Sequence, residues 1–288
     1  MKIMVSACLL GQNCKYNGGN NYSEKVAGYI KGHEVIPVCP EVEGGLPVPR
    51  IPCEIVNGIV TNKQGESKDK EFRFGAGKCL QKAIAEKVDL VILQSRSPSC
   101  GVKQIYDGSF SGTLIEGKGV FAELLAENGI KTMDLDELQY RKIDDDIELI
   151  SYYRNDEESL PWYQDPVVCK QVDNIDHVYD LDTLHAMYDF LSSHGNCYYI
   201  RYRGKLVGDV SLRDNAELAI VICKEYQNRH IGRKCILDII ELAKEKGMDR
   251  VKANIYSFNT QSQRMFEAVG FIRTDDEWFE YSIKKLLD

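Results

Sequence analysis

Apolar and polar positions along the first half of the chain follow two periods in turn. Short apolar runs at 2–8, 34–40, 89–94 and 130–135 read as strands. Between them, over about 23–31, 69–87 and 118–128, apolar residues recur at helical spacing. Residues 54–61 read as a hairpin turning at Asn57-Gly58. Strands separated by helices predict an α/β domain of Rossmann-like kind, with a parallel sheet covered on both faces.

The second half has another order. A helix is predicted over 182–193. Three strands follow quickly, 196–203, 206–213 and 217–224, with Gly204 and Asn215 at the turns. Then come a long amphipathic helix over 231–246 closed by Gly247, a strand over 250–256, a short helix over 259–269 and a last strand over 277–283. This predicts an α+β domain with a mixed, mostly antiparallel sheet. Residues 134–161, with Asp144-Asp145-Asp146 and Asp156-Glu157-Glu158, read as a helix plus linker. The domains are therefore expected at 1–140 and 148–288.

Length and composition narrow the classes. At 288 residues the chain is long enough for about two domains. No apolar run approaches the ~18 residues of a membrane span, and the start runs straight into a strand pattern rather than a signal peptide. The cytoplasm is the expected compartment, and ten cysteines there argue for metal or redox use rather than a disulfide framework. Residues 1–140 carry 16 Lys/Arg against 17 Asp/Glu, and residues 141–288 carry 20 against 27. Neither half is a basic platform for nucleic acid, so none is expected as a partner, nor is a membrane. The acidic second half suits a soluble surface or attraction of a cationic acceptor.

Three cysteines stand in unusual frames: Ser6-Ala7-Cys8, Cys39-Pro40-Glu41 and Ser97-Pro98-Ser99-Cys100-Gly101. Each lies at or after the C-terminal end of an apolar run. Strand C-termini of an open α/β sheet meet on one rim, where ligands bind. Three soft ligands with no evident fourth suggest an iron–sulfur cluster with one iron open for chemistry. Cys14 and Cys53 are reserves, and Cys79, inside a helix pattern, reads as a buried small hydrophobe. Glu41, two residues from a proposed ligand, reads as a general base or as the salt-bridge partner of Arg50. Ser97 reads as a hydrogen-bond donor to substrate or a proton relay.

These frames, with Cys14-Lys15-Tyr16-Asn17-Gly18 and Gly44-Gly45-Leu46-Pro47, resemble the thiouracil desulfurase family over roughly residues 1–140. The resemblance implies a 4Fe–4S cluster held by Cys8, Cys39 and Cys100, a small thiolated substrate, and an acid/base pair of Glu41 and Ser97.

In the second half, residues 225–233 follow a strand and open the long helix, where free backbone N–H groups suit a pyrophosphate. Gln227-x-x-His230-x-Gly232 resembles the Q-x-x-G-x-G loop of GNAT N-acetyltransferases, with His230 in place of the first glycine. Asn259 to Phe271 resembles a second GNAT signature. The resemblance implies acetyl-CoA held by Gln227, Asn228, Arg229, His230, Ile231, Gly232 and Arg233, by the backbone of Ile220, Val221 and Ile222, and by Asn259. An amine is the implied acceptor. The usual tyrosine acid aligns with Phe266, which cannot donate a proton; Tyr256 or water is the substitute. Glu217 is the candidate base. Trp162 to Asp165 shape an acceptor pocket or belong to the core. The resulting expectation is a desulfurase fused to an acetyltransferase. The alternative is a metal-binding module without turnover fused to an acetyl-CoA sensor.

Overall fold

The computed structural model describes residues 1–284; the last four residues of the expected second domain, 285–288, lie outside the described residues. The chain divides into two compact units, Met1–Gln139 and Tyr140–Asp288.

The first unit runs β1 (Lys2–Ser6), α1 (Glu24–Tyr29), β2 (Glu34–Val38), α2 (Pro40–Glu43), β3 (Cys53–Val56), β4 (Ile59–Asn62), α3 (Asp69–Ala85), β5 (Leu90–Leu93), β6 (Gln104–Tyr106), β7 (Leu114–Glu116), α4 (Val120–Glu127) and β8 (Thr132–Asp134). Its main sheet has the order β2-β1-β5-β8, and every neighbouring pair is parallel. The two central strands are mainly apolar because both faces are covered: Ile3, Met4 and Val5 in β1 and all of β5 are buried. Chain order reverses between β1 and β5, which is the switch point where a crevice opens at the strand C-termini. β3 and β4 form the expected hairpin, with Asn57 and Gly58 both at positive φ. The hairpin of β6 and β7 was not legible in the sequence.

A close backbone approach sets α2 on α3. A Cβ at Gly75 would lie 1.8 Å from the carbonyl oxygen of Pro40, and one at Gly44 would lie 2.1 Å from that of Glu71. Only glycine at both positions lets the short helix that follows Cys39 sit on α3.

The second unit runs β9 (Tyr140–Lys142), β10 (Ile147–Ser151), α5 (Asp156–Ser159), α6 (Pro166–Asp173), α7 (Leu181–Ser193), β11 (Gly195–Tyr202), β12 (Lys205–Arg213), β13 (Leu218–Ile222), α8 (Ile231–Glu245), β14 (Arg250–Asn254), α9 (Thr260–Glu267), β15 (Ile272–Arg273) and β16 (Trp278–Ser282). One antiparallel sheet has the order β13-β12-β11-β10-β9, and a second has the order β14-β16-β15.

The helix-plus-linker reading of 134–161 is overturned across its middle. Residues 140–142 and 147–151 are strands, with β10 paired to both β9 and β11. Charge misled the reading. Arg141 reaches Asp238 and Glu245 on α8, and Glu148 is buried against Arg201, 2.7 Å away. These polar residues are paired across the fold rather than solvated.

β13 and β14 touch at one parallel bridge, Glu217 with Lys252, where the Lys252 N–H donates to the Ala216 carbonyl at 2.9 Å. Beyond it they belong to different sheets, so a cleft opens toward their C-terminal ends.

Candidate active sites

The thiols of the first unit come from three adjacent strand ends. Ser6 is in register with Val38, and Val5 with Ile92. Cys8 lies in the 3-10 turn Ala7–Leu10 that directly follows β1, and Cys39 is the N-cap residue of α2 just after β2. Cys100 sits in the loop after β5, 6% exposed. Its turn is shaped by Ser97, whose Oγ accepts from the Ser99 and Cys100 N–H groups, each at 3.1 Å.

Contacts join these positions. The side chain of Cys14 lies close enough to those of Cys39 and Cys8 to interact electrostatically with both. Cys39 Sγ also lies 3.9 Å from the Cys14 carbonyl oxygen. Cys100 lies within electrostatic reach of Cys39 and Glu41. The contact with Cys14, followed by burial, raises the Cys39 thiol well above its ordinary value. Burial does the same for Cys100, while the hydroxyls of Ser6 and Ser99 lean the other way, favouring the thiolate. For Cys14 the Cys39 contact lowers and the Cys8 contact and burial raise, leaving the thiol pushed up to about 11. Ser99 Oγ is fully buried and has no other partner.

One buried thiol, Cys100, and the half-buried thiols of Cys8, Cys14 and Cys39, with the unpartnered Ser99 hydroxyl beside them, fit a site completed by a metal that displaces thiol protons. Among the described residues, no three His, Cys, Asp or Glu side chains are grouped to hold a single metal ion. That is compatible with a multi-iron group, whose ligands are held farther apart by the metal atoms between them.

Glu41 lies in the first turn of α2, largely buried. Arg50 Nε and Nη2 both lie 2.6 Å from its Oε2. Arg50 also donates to the carbonyls of Pro47 and Cys14, at 3.2 and 2.9 Å. Burial raises the Glu41 carboxyl above its ordinary value, and Arg50 opposes that rise. The Cys53 thiol donates to the Ile51 carbonyl at 3.6 Å; burial, then the nearby Glu41, pushes it up to about 11. Cys79 is buried in α3 as a small hydrophobe. A separate pocket of about 370 Å³ is lined by Ser95, Arg96, Lys103, Gln104, Glu116, Asp134, Asp136 and Glu137, and by none of the residues above.

In the second unit, the loop after β13 leads into the N-terminus of α8. His230 is the N-cap residue, with φ 62°, and Asn228 has φ 60°. His230 thus takes the left-handed conformation that glycine adopts without cost. No side chain caps α8, and its first turn holds no acidic residue. Arg229 and Arg233 flank it, donating to the carbonyls of Glu225 and Ala268. A 15-residue helix with an uncapped, cation-flanked N-terminus favours an anion. Ile231 is buried at the start of α8.

Gln227 is turned inward. Its Nε2 donates to the Ile222 carbonyl at 3.0 Å and so fixes the end of β13. The Cys223 N–H is directed at Val207 of β12, so by alternation the backbone groups of Ile220 and Ile222 face the cleft, and those of Val221 face β12.

Several of the positions singled out in the sequence meet contacts within the fold. Asn259 is 6% exposed; its Oδ1 accepts from the Ser262 N–H and its Nδ2 donates to the Gln171 carbonyl. Glu217 stands beside the bridge to β14 but is ion-paired with Arg213. Phe266 is buried against Phe271, with ring centroids 4.9 Å apart. Trp162 and Tyr163 belong to the core, and the Tyr163 hydroxyl donates to Asp209 at 2.8 Å.

Residues 3–137 match the 2-thiouracil desulfurase family. A curated relative, the uncharacterised protein YbbK of Bacillus subtilis (strain 168), is 38% identical over 146 residues, covering 47% of this chain and 97% of its own. The first half of the chain belongs to the 2-thiouracil desulfurase family. Residues 155–271 match the model of the acetyltransferase (GNAT) family. Among solved structures, the desulfurase half is similar to the 4Fe-4S-dependent thiouracil desulfidase TudS, at 37% identity over 47% of this chain and 91% of that one, with a TM-score of 0.45. The second half is similar to a GNAT-family acetyltransferase from Bacillus anthracis, at 17% identity over 49% and 94% of the two chains, with a TM-score of 0.43. Among the described residues no helix is long and apolar enough to cross a membrane.

Proposed function

We propose that the desulfurase half, residues 1–140, removes sulfur from a small thiolated, base-like molecule, and that the GNAT half, residues 148–288, transfers acetyl from acetyl-CoA to an amine. The observation that carries the first reading is the arrival of Cys8, Cys39 and Cys100 from three neighbouring strand ends beside Glu41. These three cysteines would hold a 4Fe–4S cluster. When bound, the cluster supplies a soft, Lewis-acidic iron for the thiocarbonyl sulfur. The ten cysteines, free in this structure, support a reducing compartment such as the cytoplasm.

The chain's own groups have separable tasks. Arg50 holds Oε2 of Glu41, and the carboxylate's Oε1 takes a proton from the water that attacks the thioamide carbon. Ser97 Oγ accepts two backbone N–H groups, which leaves its own O–H to donate to the substrate. Arg50 ties Glu41 to the carbonyls of Pro47 and Cys14, holding the carboxylate beside the thiols. Anaerobic reconstitution with iron and sulfide, followed by sulfide-release assays on thiolated pyrimidines, tests this reading. Absence of iron-dependent sulfide release reduces it to a cluster-binding module.

In the GNAT half, the N–H groups at the start of α8 bind the pyrophosphate, and the cleft-facing backbone of β13 lines the pantetheine. A second reading applies here. Phe266 is buried, Asn259 is committed to protein contacts and Glu217 is ion-paired, which favours acetyl-CoA binding without transfer. Calorimetric titration with acetyl-CoA plus an amine screen separates the two: an enzyme consumes acetyl-CoA, whereas a sensor only binds it.

A further inference from the structure

We propose that the Ser99 hydroxyl is a dedicated hydrogen-bond donor to the group held by the three strand-end thiols, its acceptor being a sulfur of that group. The inference rests on the desulfurase reading of the first half. It starts from a polar group that the protein alone leaves unused. Ser99 is fully buried, and its Oγ meets no hydrogen-bond partner among the described residues. A buried hydroxyl without a partner destabilises a fold, so one that persists calls for a physical reason.

The other serines of the same strand ends are committed. Ser6 Oγ accepts from the Gln94 N–H at 3.1 Å, and Ser95 Oγ donates to Asp134. Ser97 Oγ accepts from the Ser99 and Cys100 N–H groups. Of these four serines, only Ser99 places its hydroxyl beside the thiols without serving the fold.

The backbone holds Ser99 in that place. Its carbonyl accepts from the Phe121 N–H at 2.9 Å, and the Pro98 carbonyl accepts from the Val120 N–H at 2.9 Å, so the first turn of α4 is seated on the loop. A Cβ at Gly119 would lie 2.5 Å from the Ser99 carbonyl carbon, and only glycine permits this approach. The enclosed side chain thus stands one residue before Cys100, itself 6% exposed. Under the desulfurase reading, the acceptor that arrives there is negatively charged sulfur. Burial raises the Cys100 thiol, and the Ser6 and Ser99 hydroxyls oppose that rise, as donors facing a thiolate would. A hydrogen bond to a cluster sulfur draws off charge and raises the reduction potential.

The test compares two states that should respond in opposite directions. The full chain is prepared as wild type and Ser99→Ala, each metal-free and after anaerobic reconstitution, with circular dichroism and iron and sulfide content as controls. Without metal, Ser99→Ala removes an unpaired buried hydroxyl and should melt at or above the wild-type temperature. With metal, it should lose iron to a chelator about tenfold faster or more, the scale on which outer partners of metal ligands act. Its reduction potential, read by electron paramagnetic resonance during redox titration, should fall. A serine that only supports the loop lowers the melting temperature of both states alike and leaves the potential unmoved. That result, or equal iron loss and equal potential in the two proteins, overturns the donor while the desulfurase reading stands. A wild type that takes up no iron and sulfide overturns both.

Discussion

Glu41 shows how a single carboxylate serves two readings at once. The sequence placed it beside a proposed metal ligand and also near Arg50, and the structure satisfies the second reading without closing the first, because one oxygen carries both contacts to Arg50. Glu41→Gln preserves shape and removes basicity. Sulfide release should fall about 100- to 10,000-fold, the usual loss for a general acid/base. The visible spectrum of the reconstituted cluster should persist, and a thermal melt distinguishes catalytic loss from loss of the ion pair. A wild-type rate from fully loaded variant would remove Glu41 as the base. Asp209 supplies a prediction of another kind. It is buried, its carboxyl is pushed up to about 6 by desolvation, and the hydroxyls of Tyr188 and Tyr163 partly counter that rise. Its folded pKa lies above the ordinary ~3.9, so between about pH 4 and pH 6 the native state holds a proton that the unfolded chain has lost. Stability therefore declines as pH rises through that window, by up to ~3 kcal/mol from this group. Urea unfolding at pH 4.5 and pH 7 checks it: Asp209→Asn should gain on wild type at the higher pH, and a pH-independent difference would show that the carboxyl titrates normally.

At the scale of elements, the site depends on how closely α2 sits on α3. Gly75→Ala forces a methyl group into the Pro40 carbonyl, and the helix that follows Cys39 must move. The expected cost is about 1–3 kcal/mol, as for other overpacked contacts, together with reduced iron retention; an unchanged melting temperature and iron content would deny the coupling. The start of α8 makes the matching prediction for the second half. Gly232→Asp sets a carboxylate among the N–H groups proposed for the pyrophosphate. Its Cβ would meet the flexible end of Met265 at 2.8 Å, so folding is checked by circular dichroism. Acetyl-CoA affinity should fall about tenfold or more by calorimetry, since a charge at a helix terminus is worth up to ~2 kcal/mol. Unchanged affinity would remove this loop as the cofactor site. The misread element, β10, shows why strand detection failed there: five consecutive buried residues include Glu148, whose charge is cancelled by Arg201 53 positions later in the chain. Local patterning carries no sign of such a partner.

For the whole molecule, each compact unit has its own sheets and its own buried apolar residues. Residues 1–139 and 140–288 expressed separately should each give one cooperative thermal transition. The first is expected to take up iron and sulfide, and the second to bind acetyl-CoA. Loss of folding in either piece would mean that its stability depends on the other.

The sequence by itself determined the order of strands and helices in most of both halves, the three cysteine frames at strand ends, and the loop opening the long helix. These are local signals: hydrophobic period, turn residues and short motifs act within a few positions. Only the tertiary structure decided which polar groups are spent on one another. It joined Arg50 to Glu41, Arg213 to Glu217 and Asn259 to Gln171, buried Phe266 against Phe271, and brought the Cys14 carbonyl to the Cys39 thiol. Neither spacing nor period encodes such pairings, because each is fixed by packing and strand register, which bring residues from separate elements into contact.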